Sequence, residues 1–306
     1  MVLGLSTPRI LSSMANPFSD YQAVVRENQS LAPFTWLQIG GPTRFLVEPN
    51  EVDELTSITS ICFEQGIPVR VLGGGSNLLV RESGVAGATL SLSSPVFTGI
   101  RREGNRVVCG SGVKLSHLIT YAVGQGLGGL EHLVAIPGTV GGAIRGNAGT
   151  EDGAIGQVVH SARILTKEGT ITAAKGSELA LTHRASGMDG IALVEVTFEL
   201  TPADPAALTK REQTFWILKR RKQPSFPERA ALAFIDPVGN QAADLIQQAG
   251  LSSVSEGAVR MSSTYPNFII ASTGATSSQV LTLLERVRAG VQDRSGVQLQ
   301  FHLQIW

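Results

Sequence analysis

The chain has 306 residues, 25 basic against 25 acidic side chains, and 42% hydrophobic residues. That length and apolar content suit a two-domain globular protein, the charge balance offers no basic surface for nucleic acid, and no run approaches the roughly 18 apolar residues of a membrane span. Cys62 and Cys109 have no Cys-x-x-Cys spacing, so neither a disulfide framework nor a metal site is expected, and a reducing cytoplasm is compatible.

Residues 1–27 predict a tail and a helix, with Met14 as an alternative translation start. Pro8 and Arg9 interrupt the apolar residues there, so no signal peptide is read. Residues 43–48 alternate as a half-buried strand, Pro49-Asn50-Glu51 opens a helix to about residue 65, and residues 69–72 form the next strand. That strand feeds a first dense glycine loop, Gly73-Gly74-Gly75-Ser76-Asn77. Strands over 86–92, 97–102 and 106–109 follow, then a helix over 114–125 with Leu115, Leu118, Ile119 and Ala122 on one face.

The second glycine run is Ile136-Pro137-Gly138-Thr139-Val140-Gly141-Gly142-Ala143-Ile144-Arg145-Gly146-Asn147-Ala148-Gly149. Without Cβ atoms the main chain can approach a ligand closely, so such runs point to amides wrapped around an anion, a phosphate first of all. Neither loop continues as Gly-Lys-Ser/Thr or contains Gly-x-Gly-x-x-Gly, which disfavours a nucleotide held in the Walker or Rossmann manner.

Strands are expected over 156–166, 169–173 and 191–200. Thr201-Pro202-Ala203-Asp204-Pro205 reads as a domain boundary, because two prolines break both helix and sheet. Beyond it come a helix over 206–222, ending in Lys219-Arg220-Arg221-Lys222 as a solvated basic end, and the stiff connector Gln223-Pro224-Ser225-Phe226-Pro227. A strand over 231–236, a helix over 242–249 capped by Gly250, a strand over 268–272, a helix over 276–291 and a final strand over 296–305 complete the chain.

Thr35-Trp36-Leu37-Gln38-Ile39-Gly40-Gly41-Pro42, Leu72-Gly73-Gly74-Gly75-Ser76-Asn77-Leu78-Leu79-Val80, and Gly129-Leu130-Glu131 leading into the 136–149 run resemble the flavin-binding signatures of the UDP-N-acetylenolpyruvoylglucosamine reductases, the MurB-type family. The similarity continues through His183-Arg184-Ala185-Ser186, Gln223-Pro224, Asp244-Leu245-Ile246-Gln247-Gln248-Ala249-Gly250-Leu251, Asn267-Phe268-Ile269-Ile270 and Gly296-Val297, covering the chain from about residue 28. The resemblance implies an α+β fold. A two-lobed FAD-binding domain of the PCMH/vanillyl-alcohol-oxidase type would span residues 28–205, with lobes over roughly 28–95 and 96–205, and an α+β substrate domain would span 206–306.

It also implies FAD held non-covalently by Gly40, Leu72, Gly73, Gly74, Gly75, Ser76, Asn77, Leu78, Ile136, Pro137, Gly138, Thr139, Gly141, Gly142, Ala143, Asn147, Ala148 and Gly149. NADPH would supply hydride, and the enolpyruvyl ether of a UDP-sugar nucleotide would be reduced to UDP-N-acetylmuramate for peptidoglycan. A cytoplasmic monomer with no nucleic-acid or membrane partner is expected.

Arg184 falls at the arginine of the family's Tyr-Arg-x-Ser motif, with His183 in place of the tyrosine and Ser186 closing it, so both are implied to bind substrate and Arg184 to serve catalysis. Two other positions depart from the pattern. Leu232 stands where the family has a proton-donating serine, and His302 where it has a glutamate. An ordinary histidine pKa of about 6.5 suits proton transfer near neutrality, so His302 is a candidate acid as well as an ordinary strand histidine. Three readings stay open: a reductase completed by His302 or water, a flavin-binding relative that has lost the chemistry and acts as a binding or regulatory protein, and a scaffold without FAD, against which the intact glycine loops argue.

Overall fold

A computed structural model describes residues 16–224 and 229–306; the tail before Asn16 and most of the connector after Pro224 lie outside the described residues. The alternation at Pro42–Val47 and the apolar run Val85–Ser91 build the centre of a four-stranded sheet ordered Val25–Ser30, Pro42–Val47, Val85–Ser91, Val69–Leu72. The first pair is antiparallel and the other two are parallel. The helix Val52–Glu64 covers this sheet by sinking Leu55, Ile58 and Cys62 against Phe45, Val47 and Leu90, as their helical spacing requires. Where a helix was expected before residue 27, the described residues form one 3-10 turn, Ser19–Tyr21, and then the edge strand Val25–Ser30. Val24 and Val25 are buried against the sheet, and pairing with Pro42–Val47 decides the conformation that local propensity left open.

A second lobe is a five-stranded antiparallel sheet ordered Ile171–Lys175, Val159–Leu165, Ala192–Glu199, Arg106–Gly110, Ile100–Glu103. The helix Leu115–Gly124 packs on it through Leu115, Leu118, Ile119 and Ala122. Leu165, Ala192 and Val194 of this sheet enter the core of the first lobe, so the lobes share an apolar seam. The strand expected over 97–102 is shorter at its start: Pro95 opens a helical turn, Pro95–Thr98, that buries Phe97 before the chain extends.

A third, four-stranded antiparallel sheet, Ala230–Leu232, Phe268–Ala271, Val259–Met261, Ser255–Glu256, packs under the helices Ala242–Gln248 and Ser277–Ser295. Leu37, Ile39 and Leu79 of the first lobe are buried in the same core. The single strand expected over 296–305 is divided. Gly296, at φ 72, ends the preceding helix, Gln300–Phe301 pairs with Phe234–Ile235, and Gln304–Ile305 pairs with Leu78–Leu79 of the first lobe.

The proline-rich segment is tied to the second lobe on both sides. Thr201–Pro202 pairs with Leu127–Gly128, Asp204 Oδ2 accepts the Ala207 N–H at 3.0 Å, and Pro205 occupies the first turn of the helix Pro205–Arg220. That helix buries Leu208 in the core of the second lobe. Pro202 itself lies in that short pairing and Pro205 starts the helix, which folds back on the second lobe.

Candidate functional site

The strand Val69–Leu72 ends at the edge of its sheet and delivers the first glycine loop against the second. A Cβ on Gly74 would stand 2.7 Å from Gly138 Cα, and one on Gly73 would stand 2.8 Å from Thr139 Oγ1. Gly75 has φ +63 and its Cβ position is 1.9 Å from Phe34 O, so only glycine fits there. Among the described residues, the N–H groups of Gly74, Gly75, Ser76, Gly138 and Thr139 have no protein acceptor.

Two of those amides are aimed by their own peptide planes. The Trp36 N–H holds Gly75 O at 3.1 Å and the Leu115 N–H holds Gly138 O at 3.0 Å. In a trans peptide the next N–H points the opposite way, so Ser76 and Thr139 are turned away from those anchors. Free amides on two loops in contact are the groups from which an anion seat is built. Beside it, Asn77 Oδ1 is buried without a partner, an acceptor awaiting a donor from outside the protein. The seat, the missing Cβ atoms and the orphaned acceptor fit a dinucleotide cofactor.

The other flavin candidates divide by what their side chains do. Leu72 and Leu78 fill a small core with Leu31, Leu46, Val80 and Val85, leaving only their backbone for a ligand. Ile136, Ala143 and Ala148 pack on the second-lobe core, and Pro137 lies between Ile136 and the seat. Thr139 caps the short helix Val140–Arg145 by accepting the Gly142 N–H at 3.3 Å, while the Gly141 N–H is taken by Ser111 O at 2.8 Å. Gly149 pairs with Ala154 in a tight ribbon, and Gly40 lies behind the first loop against Val80 and Ala32. Asn147 bridges Thr182 O at 2.8 Å and the Gly156 N–H at 3.1 Å, which ties the second glycine run to the hairpin carrying Arg184.

That hairpin pairs Leu181–Thr182 with Ala185–Ser186 and places Arg184 at its tip with φ 57. Among the described residues the Arg184 side chain has no hydrogen bond or ion pair, and Ser186 Oγ is buried without a partner. His302 lies close by: its backbone N–H donates to Ala233 O at 2.8 Å, and its Nδ1 is buried and unpartnered. Burial first, then the Arg184 charge, push its pKa down to about 4, with Asp236 opposing. The imidazole is therefore neutral at neutral pH, which corrects the expectation of a histidine poised to titrate near 6.5. Leu232 belongs to the same small region, half-buried in the strand Ala230–Leu232 one residue before Ala233.

The FAD binding domain family matches residues 43–175, and the family described as "UDP-N-acetylenolpyruvoylglucosamine reductase, C-terminal domain" matches residues 223–306. A UDP-N-acetylenolpyruvoylglucosamine reductase of Rhodopirellula baltica is 45% identical over 287 residues, 94% of either chain. The chain belongs to the UDP-N-acetylenolpyruvoylglucosamine reductase family. A second such reductase, from Symbiobacterium thermophilum, is 37% identical over 92% of each chain. The crystal structure of the Thermus caldophilus reductase superposes with a TM-score of 0.81 at 30% identity, covering 92% of this chain and 99% of that one. The α+β fold with a FAD-binding domain, expected from the motifs, is the fold of this reductase family member.

One group escaped the sequence. Lys219, expected on a solvated helix end, donates Nζ–H to His132 O at 2.6 Å, and burial first of all lowers its pKa to about 8. Asp152 opposes that shift and the charge of Arg184 adds to it. The signal was available in the spacing. Leu208 and Lys219 lie three helical turns apart, on one face. Asn267 was noticed only as part of a motif; its Oδ1 accepts the Phe234 N–H at 3.0 Å and its Nδ2–H donates to Phe234 O at 2.9 Å, fixing the chain just after Leu232.

Proposed function

We propose that the protein binds FAD without a covalent bond and, with NADPH as reductant, converts the enolpyruvyl ether of UDP-N-acetylglucosamine to UDP-N-acetylmuramate, a peptidoglycan precursor. The observation that carries this reading is the meeting of the two glycine loops at Gly74 and Gly138, with free amides on both. The amides of Gly74, Gly75, Ser76, Gly138 and Thr139 hold the cofactor's pyrophosphate, and Asn77 Oδ1 accepts one of its donors. Flavin held there would supply the redox chemistry, hydride transfer from NADPH to the vinyl carbon.

What remains for the protein is charge and a proton. Arg184, unpaired and half-buried, binds the substrate carboxylate and stabilises the negative charge that develops beside it. Ser186 Oγ and His302 Nδ1, both buried without partners, give the same group neutral hydrogen bonds. Leu232 has no proton to give and His302 is neutral, so the carbon is protonated by water. We place the flavin domain up to the end of the helix Pro205–Arg220 and the substrate domain beyond it, and assign the reaction to the cytoplasm, where buried Cys62 and Cys109 remain thiols.

Purified protein should carry flavin absorbance and oxidise NADPH only when the enolpyruvyl substrate is present. A yellow protein with no substrate-dependent oxidation would reject the reductase and leave a flavin-binding protein. Replacing Arg184 by Lys removes the planar fork, so KM for the sugar nucleotide should rise by about tenfold or more while flavin content holds. An unchanged KM would remove Arg184 from the substrate site.

A further inference from the structure

Residues 304–306 cross from the substrate domain to the first lobe and lie beside the two residues that leave the first glycine loop. Gln304–Ile305 pairs in parallel with Leu78–Leu79. The Gln304 N–H donates to Asn77 O at 2.9 Å, the Trp306 N–H to Leu79 O at 2.9 Å, and the Arg81 N–H to Trp306 O at 2.8 Å. The Trp306 ring packs on the small core of Leu72 and Leu78 and carries the Arg70 guanidinium 5.4 Å from its centroid. Just upstream, Leu303 is buried in the substrate-domain core, and the His302 backbone is bonded to Ala233 O.

Residues 302–306 therefore run from Ala233, the residue after the strand Ala230–Leu232, through the imidazole of His302 to Asn77 at the end of the glycine loop. We propose that residues 304–306 act as a positioning clasp: by gripping the carbonyls of Asn77 and Leu79 they hold the flavin loop and His302 in one register, so that cofactor binding and substrate-site geometry are set together. The proposal rests on the flavin reading of the glycine loops. Its physical basis is preorganisation. An anion seat needs several N–H groups fixed in one direction, and a loop of small residues loses much freedom in adopting it unless neighbouring structure has already done so.

Deleting residues 304–306 from the full chain should raise the FAD dissociation constant at least about tenfold, because it removes the bonds to Asn77 and Leu79 together with the ring contact. Arg184→Lys, outside the clasp, should leave that constant within about twofold. In the intact protein, adding FAD should slow hydrogen exchange at the Arg81, Gln304 and Trp306 amides, a response that a merely structural strand would not show. Should the deletion fail to fold, Trp306→Ala keeps the ladder, and its weaker FAD binding together with the exchange response decides the matter. FAD affinity unaltered in the shortened or Trp306→Ala protein, or exchange indifferent to FAD, overturns the clasp alone. Absence of FAD binding by the intact protein overturns the flavin reading and the clasp with it.

Discussion

His302 and Leu232, both expected as departures from the family pattern, bring different chemistry to the site. Leucine offers no donor and only apolar surface, whereas histidine offers a group whose charge depends on its surroundings. Those surroundings, burial and then Arg184 against Asp236, hold the folded pKa at about 4, below an unfolded value of about 6.5. Between these values the unfolded chain binds the proton more readily than the folded one, so stability falls as pH drops through that window. The urea midpoint should decline from pH 6.5 to 4, and His302→Gln should flatten the decline; equal slopes in the two proteins would show that His302 does not titrate as described. For the same reason kcat should show no ionisation near pH 6.5 from this residue.

At the scale of elements, the helix Pro205–Arg220 fastens itself to the second lobe. Its inner face carries Leu208 into the second-lobe core, sets Arg211 2.8 Å from Glu131 Oε1, and brings Lys219 to His132 O. Glu131 is only 1% exposed, and its Oε2 accepts the Gly129 N–H at 2.7 Å, at the entry to the second glycine run. The pair with Arg211 is close without hydrogen-bond alignment, and Arg211 itself is largely exposed, so the bond to Gly129 is the stronger part. Glu131→Ala strands the Gly129 N–H and should cost about 2–4 kcal/mol, while Glu131→Gln keeps an acceptor and should cost less. Urea unfolding of the two variants checks the order, and equal losses would assign the effect to packing instead.

Across the whole molecule, the C-terminal domain is fastened to the first lobe through the shared core of Leu37, Ile39 and Leu79, the strand pairing of Gln304–Ile305 and the start of the helix Ser277–Ser295. There Glu82 of the first lobe accepts the Ser277 N–H and, at 2.5 Å, its Oγ–H. Burial alone would raise the Glu82 pKa, and the Ser277 hydrogen bonds outweigh it, holding the carboxyl below its ordinary value. A depressed carboxyl pKa means the stabilisation is present above the unfolded value and lost as pH falls through the folded one. Because Glu82 is solvent-exposed, Glu82→Gln should cost only about 1 kcal/mol near neutrality, and less in high salt. A thermal melt of the variant that matches the parent at low salt would show that the carboxylate does not fasten the domains.

Glycine spacing and the ordered motifs were enough to identify the family and to single out two glycine loops, because a loop without Cβ atoms is a local property that survives any arrangement around it. Apolar periodicity likewise settled the helices that lie on one sheet. The sequence also supplied Arg184 and His302 as residue types, but not that they meet. The ionisation of His302, the burial of Lys219, the fate of the proline-rich segment and the grip of residues 304–306 on the flavin loop were decided only by tertiary structure. Each depends on low-dielectric surroundings or on hydrogen bonds between segments far apart in the chain, and neither is written in the residues on either side.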